Sequence, residues 1–88
     1  MPARRSALVL PDLGLPDVTI VAGCWLIEPD SSVLKGDRLL EVVAGSVTVD
    51  LPAPASGTVA EKLVAEDDEL CVGQILAIIA EAPPDESA

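Results

Sequence analysis

Histidine, tyrosine and phenylalanine are absent from the chain, and Trp25 is its one aromatic residue. Without histidine, imidazole general-base catalysis and imidazole ligation of a metal are excluded. Without bulky rings, the core has to be assembled from Val, Leu, Ile and Ala. Positive charge is scarce too: five Lys and Arg stand against 15 Asp and Glu, a net charge of −10. Such a surface repels nucleic acid and anionic lipid, so neither is an expected partner. Long apolar runs are missing; ALVL (7–10) and ILAIIA (75–80) are far too short to span a bilayer. Arg4 and Arg5 are followed by no signal-peptide apolar stretch, so a cytoplasmic location is expected. Two cysteines, Cys24 and Cys71, lack CxxC spacing and an activating neighbour. They are expected to be reduced packing residues.

What remains favours strands. Half of the 88 residues are apolar, enough for one domain with a modest core. Val and Ile, stiff at χ1, suit a pleated surface, and eight Pro and six Gly punctuate the chain too often for long helices. An ordered unit is expected over residues 7–80, with tails at 1–6 and 81–88. The second tail, EAPPDESA, is acidic and has no large apolar side chain.

Sliding the chain by 37 places sets LIEPDSSVLKGDRLLEV (26–42) against LVAEDDELCVGQILAII (63–79). Leu26/Leu63, Asp30/Asp67, Gly36/Gly73 and Leu39/Leu76 are identical, and the apolar spacing matches. Two similar halves follow, each strand, turn, short strand, glycine turn, strand. The acidic stretches EPDSS and AEDDE fall at the first turn of each half. They lack the spacing and closing Glu of a Ca²⁺ loop and read as solvated turns, since Asp tolerates turn dihedrals; no metal is expected.

Midway, EVVAGSVTVD (41–50) reads as two strand runs about Gly45-Ser46. Glycine at the first loop position suits a type II′ turn, whose twist matches paired strands. That register pairs Ala44 with Val47, Val43 with Thr48, Val42 with Val49 and Glu41 with Asp50. Val42, Ala44, Val47 and Val49 then form one apolar face beneath an exposed tip. Glu41 opposite Asp50 is a like-charge pair that has to stay wet. Beyond it, Pro52 and Pro54 make an edge or corner, and Gly57 takes the bend into the second half.

In this order PDLG (11–14), CWLIEPDSSVLKGDRLLEV (24–42), VTVDLPAPASGTV (47–59) and LVAEDDELCVGQILAII (63–79) resemble the lipoyl/biotinyl-attachment domain family, the lipoyl branch more closely. The resemblance runs without gaps over about residues 10–80. It implies an all-β fold, a flattened barrel or sandwich of two four-stranded antiparallel sheets related by pseudo-twofold symmetry. It also implies a lysine at the hairpin tip, within D-K-A for lipoate or M-K-M for biotin, whose amine forms an amide with the cofactor. Here Gly45 takes the Asp position, Ser46 the lysine position and Val47 the Ala position. A serine hydroxyl is a poor nucleophile without a base to activate it, and none is visible nearby. The glycines usual in the family's acidic turns are replaced by Asp30 and Asp67, at a cost of about 1 kcal/mol each if φ is positive.

A lipoyl-type domain without its prosthetic group follows as the expected function, with no catalytic residue and no cofactor. It would act as an interaction or scaffold module beside components of an acyltransferase/dehydrogenase complex. The alternative is a working lipoyl or biotinyl carrier with another acceptor. The chain's two lysines are Lys35 and Lys62, read as surface charges; Lys35 is the more plausible acceptor of the two. A phosphopantetheine carrier, suggested by Asp30-Ser31, demands a helical bundle that the Pro and Gly distribution opposes. Trp25 is expected to close the edge of the core.

Overall fold

The computed structural model describes residues 4–28 and 30–81, and every described element is a strand. β1 (Arg5–Val9), β2 (Ile20–Trp25), β3 (Ser32–Val33) and β4 (Arg38–Ala44) make the first half. β5 (Val47–Pro52), β6 (Gly57–Lys62), β7 (Glu69–Leu70) and β8 (Ile75–Glu81) follow. They form two antiparallel sheets of order β1-β8-β6-β3 and β5-β4-β2-β7. This is the two-sheet sandwich expected from the sequence.

The 37-residue spacing is built into the strands themselves. Adding 37 to the bounds of β2, β3 and β4 returns those of β6, β7 and β8. The sheet orders then superpose when β1 exchanges with β5 and each first-half strand with its counterpart. Each short strand sits in the opposite half's sheet: β3 pairs β6, and β7 pairs β2. The halves are therefore interlocked.

Leu10, Leu39, Leu40, Leu51, Leu76 and Ile79 are the largest fully buried side chains. Consecutive Leu39 and Leu40 are both buried, against strand alternation, because the β4–β5 register slips between Arg38 and Leu40. Leu76 and Ala77 repeat this in β8, beside the slip at Leu8/Val9. A bulge in each half thus turns two neighbours inward. Asp30 and Asp67 both take positive φ, 63° and 74°, the strained turn geometry anticipated for them.

Four sequence-based expectations are corrected. β1 takes in Arg5 and Ser6 and β8 ends on Glu81, where the Ser6 hydroxyl meets the Glu81 carboxylate, so pairing reaches into both expected tails. Residues 1–3 and 82–88 lie outside the described residues. Cys24 and Cys71 are free and exposed rather than packed, Cys24 in the β2 stretch where the pairing with β4 slips. Val47 is 42% exposed, since it stands at the end of the ladder where no second layer covers it. Lys62 is no free surface charge: its ammonium donates to the Ile27 carbonyl at 3.0 Å and lies 5.1 Å from the centre of the Trp25 ring.

Trp25 packs, half-buried, against the core as expected, and its indole N–H donates to the Val64 carbonyl at 3.0 Å. The pseudo-twofold relates Trp25 to Lys62 and Ile27 to Val64. Each of the pair therefore donates to the carbonyl two residues beyond the other, across the axis.

Candidate functional site

The β4–β5 hairpin carries the candidate site. Its register is the one the sequence specified: Ala44↔Val47, Val43↔Thr48, Val42↔Val49 and Glu41↔Asp50. Only Gly45 of the loop pair has positive φ, 63°, as a type II′ turn requires; a type I′ turn would need it at Ser46 too. Val42 and Ala44 are fully buried and Val49 partly so, which anchors the strands below the tip. Ser46 and Gly45 are exposed at the end of the ladder.

The like-charge pair is held open to solvent and partly neutralised. The Arg38 guanidinium lies 3.4 Å from the Asp50 carboxylate. Glu41 lies over Gly23, where an added Cβ would sit 3.1 Å from the Glu41 Oε1 atom and 2.9 Å from its carbonyl oxygen. On that same face, partial desolvation and then the carboxylates of Glu66 and Glu41 push the Cys24 thiol up from its ordinary value. A raised thiol is a poor nucleophile at neutral pH.

Sequence reasoning did not find Val18. A Cβ at Gly45 would approach Val18 Cγ1 to 3.3 Å, so Val18 lies directly beside the first residue of the turn. Its signal was weak: with Leu15 it is one of two large apolar residues in the unpaired stretch LPDVT between β1 and β2. Val18, Leu15 and Val47 are all exposed large hydrophobics.

A lipoyl or biotinyl amide needs a primary amine at the tip, and Gly45, Ser46 and Val47 supply none. Lys35 lies in the turn before β4, separated from the tip by that seven-residue strand, roughly 20 Å of chain. Lys62 is engaged by Ile27 and Trp25. No hydrogen bond among the described residues reaches the Ser46 hydroxyl from a carboxylate or amine that could activate it. The residues at the tip do not fit the group. Among the described residues there is also no gathering of three or more His, Cys, Asp or Glu able to hold a metal, and no helix long and apolar enough to cross a membrane.

The fold is thus a pseudo-symmetric two-sheet sandwich that presents an exposed β4–β5 hairpin. The family model described as biotin-requiring enzyme, the biotin/lipoyl family, matches residues 7–79, and this chain belongs to that family. It is 30% identical over 85 residues to the dihydrolipoyllysine-residue acetyltransferase component of the acetoin cleaving system of Pseudomonas putida, covering 97% of this chain and 23% of that protein. It is 38% identical over 64 residues to the succinyltransferase component of the 2-oxoglutarate dehydrogenase complex of Bacillus subtilis, covering 73% of this chain and 15% of that protein. The chain thus spans under a quarter of these relatives. The lipoyl domain of the 2-oxoglutarate dehydrogenase complex from Azotobacter vinelandii superposes with a TM-score of 0.69 over 88% of this chain and all of that one. At 20% identity that likeness speaks to the fold.

Proposed function

We propose that this chain is a lipoyl-type domain that carries neither lipoate nor biotin and acts as a non-catalytic docking or spacing module. Its relatives are components of acyltransferase and dehydrogenase systems, and its own partner is a protein of that kind. One observation carries the proposal: the tip of an intact hairpin presents Ser46, flanked by Gly45 and Val47, in place of an amine. Amide formation needs a nucleophilic nitrogen, whereas a hydroxyl without a base attacks an activated acyl group poorly and yields a labile ester. Beside the tip, Val18 lies next to Gly45, and both Val18 and Val47 are exposed. Such a surface suits contact with another protein.

Intact mass after incubation with a lipoate ligase, lipoate and ATP, and separately with a biotin ligase, biotin and ATP, tests the proposal. No mass gain is expected; a stoichiometric gain overturns it. The paired substitution Ser46→Lys with Gly45→Asp is expected to accept lipoate: Val18 Cγ1 at 3.3 Å has to yield slightly to the new Cβ, and the positive φ of 63° adds backbone strain that Asp bears better than most residues. The alternative, a working carrier with Lys35 as acceptor, draws on one fact: the Lys35 ammonium has no hydrogen-bond or ionic partner among the described residues. Peptide mapping of any modified product separates the two readings.

A further inference from the structure

The pseudo-twofold makes β1 and β5 equivalent edge strands, yet the two edges differ in chemistry. The Glu81 N–H donates to the Arg4 carbonyl at 2.8 Å, and the Leu10 N–H to the Gln74 carbonyl at 3.0 Å. Alternation of an antiparallel ladder then turns the backbone groups of Ser6 and Leu8 towards β8 and those of Ala7 and Val9 away from it. On β5 the Ala44↔Val47 hairpin pair sets the opposite accounting: Leu51 and Ala53 face β4, and Pro52 faces outward. Pro52 has no N–H to offer, so the β5 edge is blunted where the β1 edge is open.

Between these two edges runs an open groove of about 440 Å³, lined by Ala7, Val9 and Pro11 on one side and Leu51, Pro52 and Pro54 on the other. Lys35 is its one charged lining residue. Its ammonium has no ion pair or hydrogen bond among the described residues. The nearest carboxylate along the chain, that of Asp37, accepts the Leu34 N–H at 2.9 Å.

We propose that the open β1 edge, the apolar groove and the Lys35 ammonium together form a docking site for an extended protein segment bearing aliphatic side chains and a carboxylate. The segment adds as a strand to β1, exchanging main-chain hydrogen bonds with Ala7 and Val9. Its aliphatic side chains cover Val9, Pro52 and Pro54, and its carboxylate meets Lys35. Charge complementarity selects this chemistry, because an unpaired cation beside an apolar groove favours an acidic over a basic occupant. The excess negative charge elsewhere is screened beyond about 8 Å at physiological ionic strength. This inference concerns the end of β5 remote from Ser46 and stands whether or not the tip is modified.

The probe is the blocked heptapeptide acetyl-VEVTVEV-amide, titrated into the ¹⁵N-labelled chain to millimolar concentration. Saturable amide shifts are expected at Ala7, Val9 and the Lys35 turn. Ala7→Pro removes an outward donor at an edge position that tolerates proline, and is expected to abolish binding with the remaining spectrum retained. Lys35→Glu is expected to weaken binding at least about tenfold, with Lys35→Arg restoring it. Absence of saturable shifts, shifts centred on Gly45-Ser46 instead, or equal binding of the peptide with both Glu replaced by Lys overturns the proposal. So does concentration-dependent dimerisation through β1 without peptide, which would assign the edge to a second copy of the chain.

Discussion

Gly57 opens β6 at a point where the backbones of β6 and β8 almost touch. A Cβ there would sit 2.8 Å from Glu81 Cα and closer still to the Ala80 carbonyl oxygen. Both obstacles are main chain, so relief means moving β8, whose Ile79 is fully buried beneath. Gly57→Ala is expected to cost at least about 3 kcal/mol, a large share of the roughly 5–15 kcal/mol that holds a domain together. Urea unfolding followed by tryptophan fluorescence measures it. Gly36, whose added Cβ would meet nothing within 4 Å, is the contrast; its cost comes from its φ of 95° alone. Cys24 offers a residue-scale test of electrostatics. Partial desolvation and the Glu66 and Glu41 carboxylates raise its thiol in the folded chain, so the folded state holds that proton more tightly than the unfolded one. The associated stability is fully present below the unfolded thiol's pKa and is lost as pH rises through the folded value. The same shift depletes thiolate, so iodoacetamide is expected to label Cys24 more slowly in the native chain than in urea at about pH 8. Equal or faster native labelling would remove this electrostatic account.

Elements were legible in the sequence to different degrees, and the difference follows from range. The hairpin register from Glu41 to Asp50 rests on one turn and two alternating runs, all within ten residues, and it came through intact. The two halves were legible because the 37-residue spacing repeats apolar positions and a glycine, and β2, β3 and β4 recur at that spacing. The exposure of Val47, Cys24 and Cys71 was not legible, because alternation assigns a face but says nothing of what covers it. Val18 beside Gly45 depends on the path of an unpaired link, for which no periodicity exists. The Trp25–Lys62 contact was hidden for a sharper reason. An aromatic and an ammonium occupy symmetry-related positions, so an identity-seeking repeat comparison passes over them. Together they tie β2 to β6 from opposite sheets, each donating to a carbonyl of the other half. Trp25→Phe keeps the ring and deletes the donor; Lys62→Met keeps the stem and deletes the charge. Each is expected to cost about 1–2 kcal/mol, the penalty of an unpaired carbonyl in a partly buried site. The cation–π contact adds about 0.5–1 kcal/mol that both changes disturb. A double-mutant cycle in urea is therefore expected to show positive coupling; strict additivity would mean that the two halves of the clamp act independently.

At the scale of the whole molecule, charge opposes compaction while the apolar interior drives it. Fifteen acidic side chains against five basic ones leave a net −10 on a chain of 88 residues. Two ion pairs are formed among the described residues, Arg5 with Glu61 at 3.5 Å and Arg38 with Asp50 at 3.4 Å. Both are solvent-exposed, and such pairs contribute roughly 0–1 kcal/mol each. Raising the ionic strength weakens these two attractions, but it also screens repulsion among all the remaining carboxylates. Folding brings those carboxylates closer than they are in the unfolded chain, so the repulsive contribution is the larger. The screening length falls from about 30 Å at 0.01 M salt to about 3 Å at 1 M, which spans the change from full repulsion to contact-range terms. Stability is thus expected to rise with NaCl across that range, read as an increase in the urea midpoint at unchanged slope. Arg38→Gln is expected to steepen the rise, because it removes the cation beside the Glu41–Asp50 pair and leaves two opposed carboxylates for salt alone to screen. A fall in midpoint with salt would mean that the sparse cations, Lys62 over Trp25 among them, outweigh ten excess negative charges in holding the two sheets together.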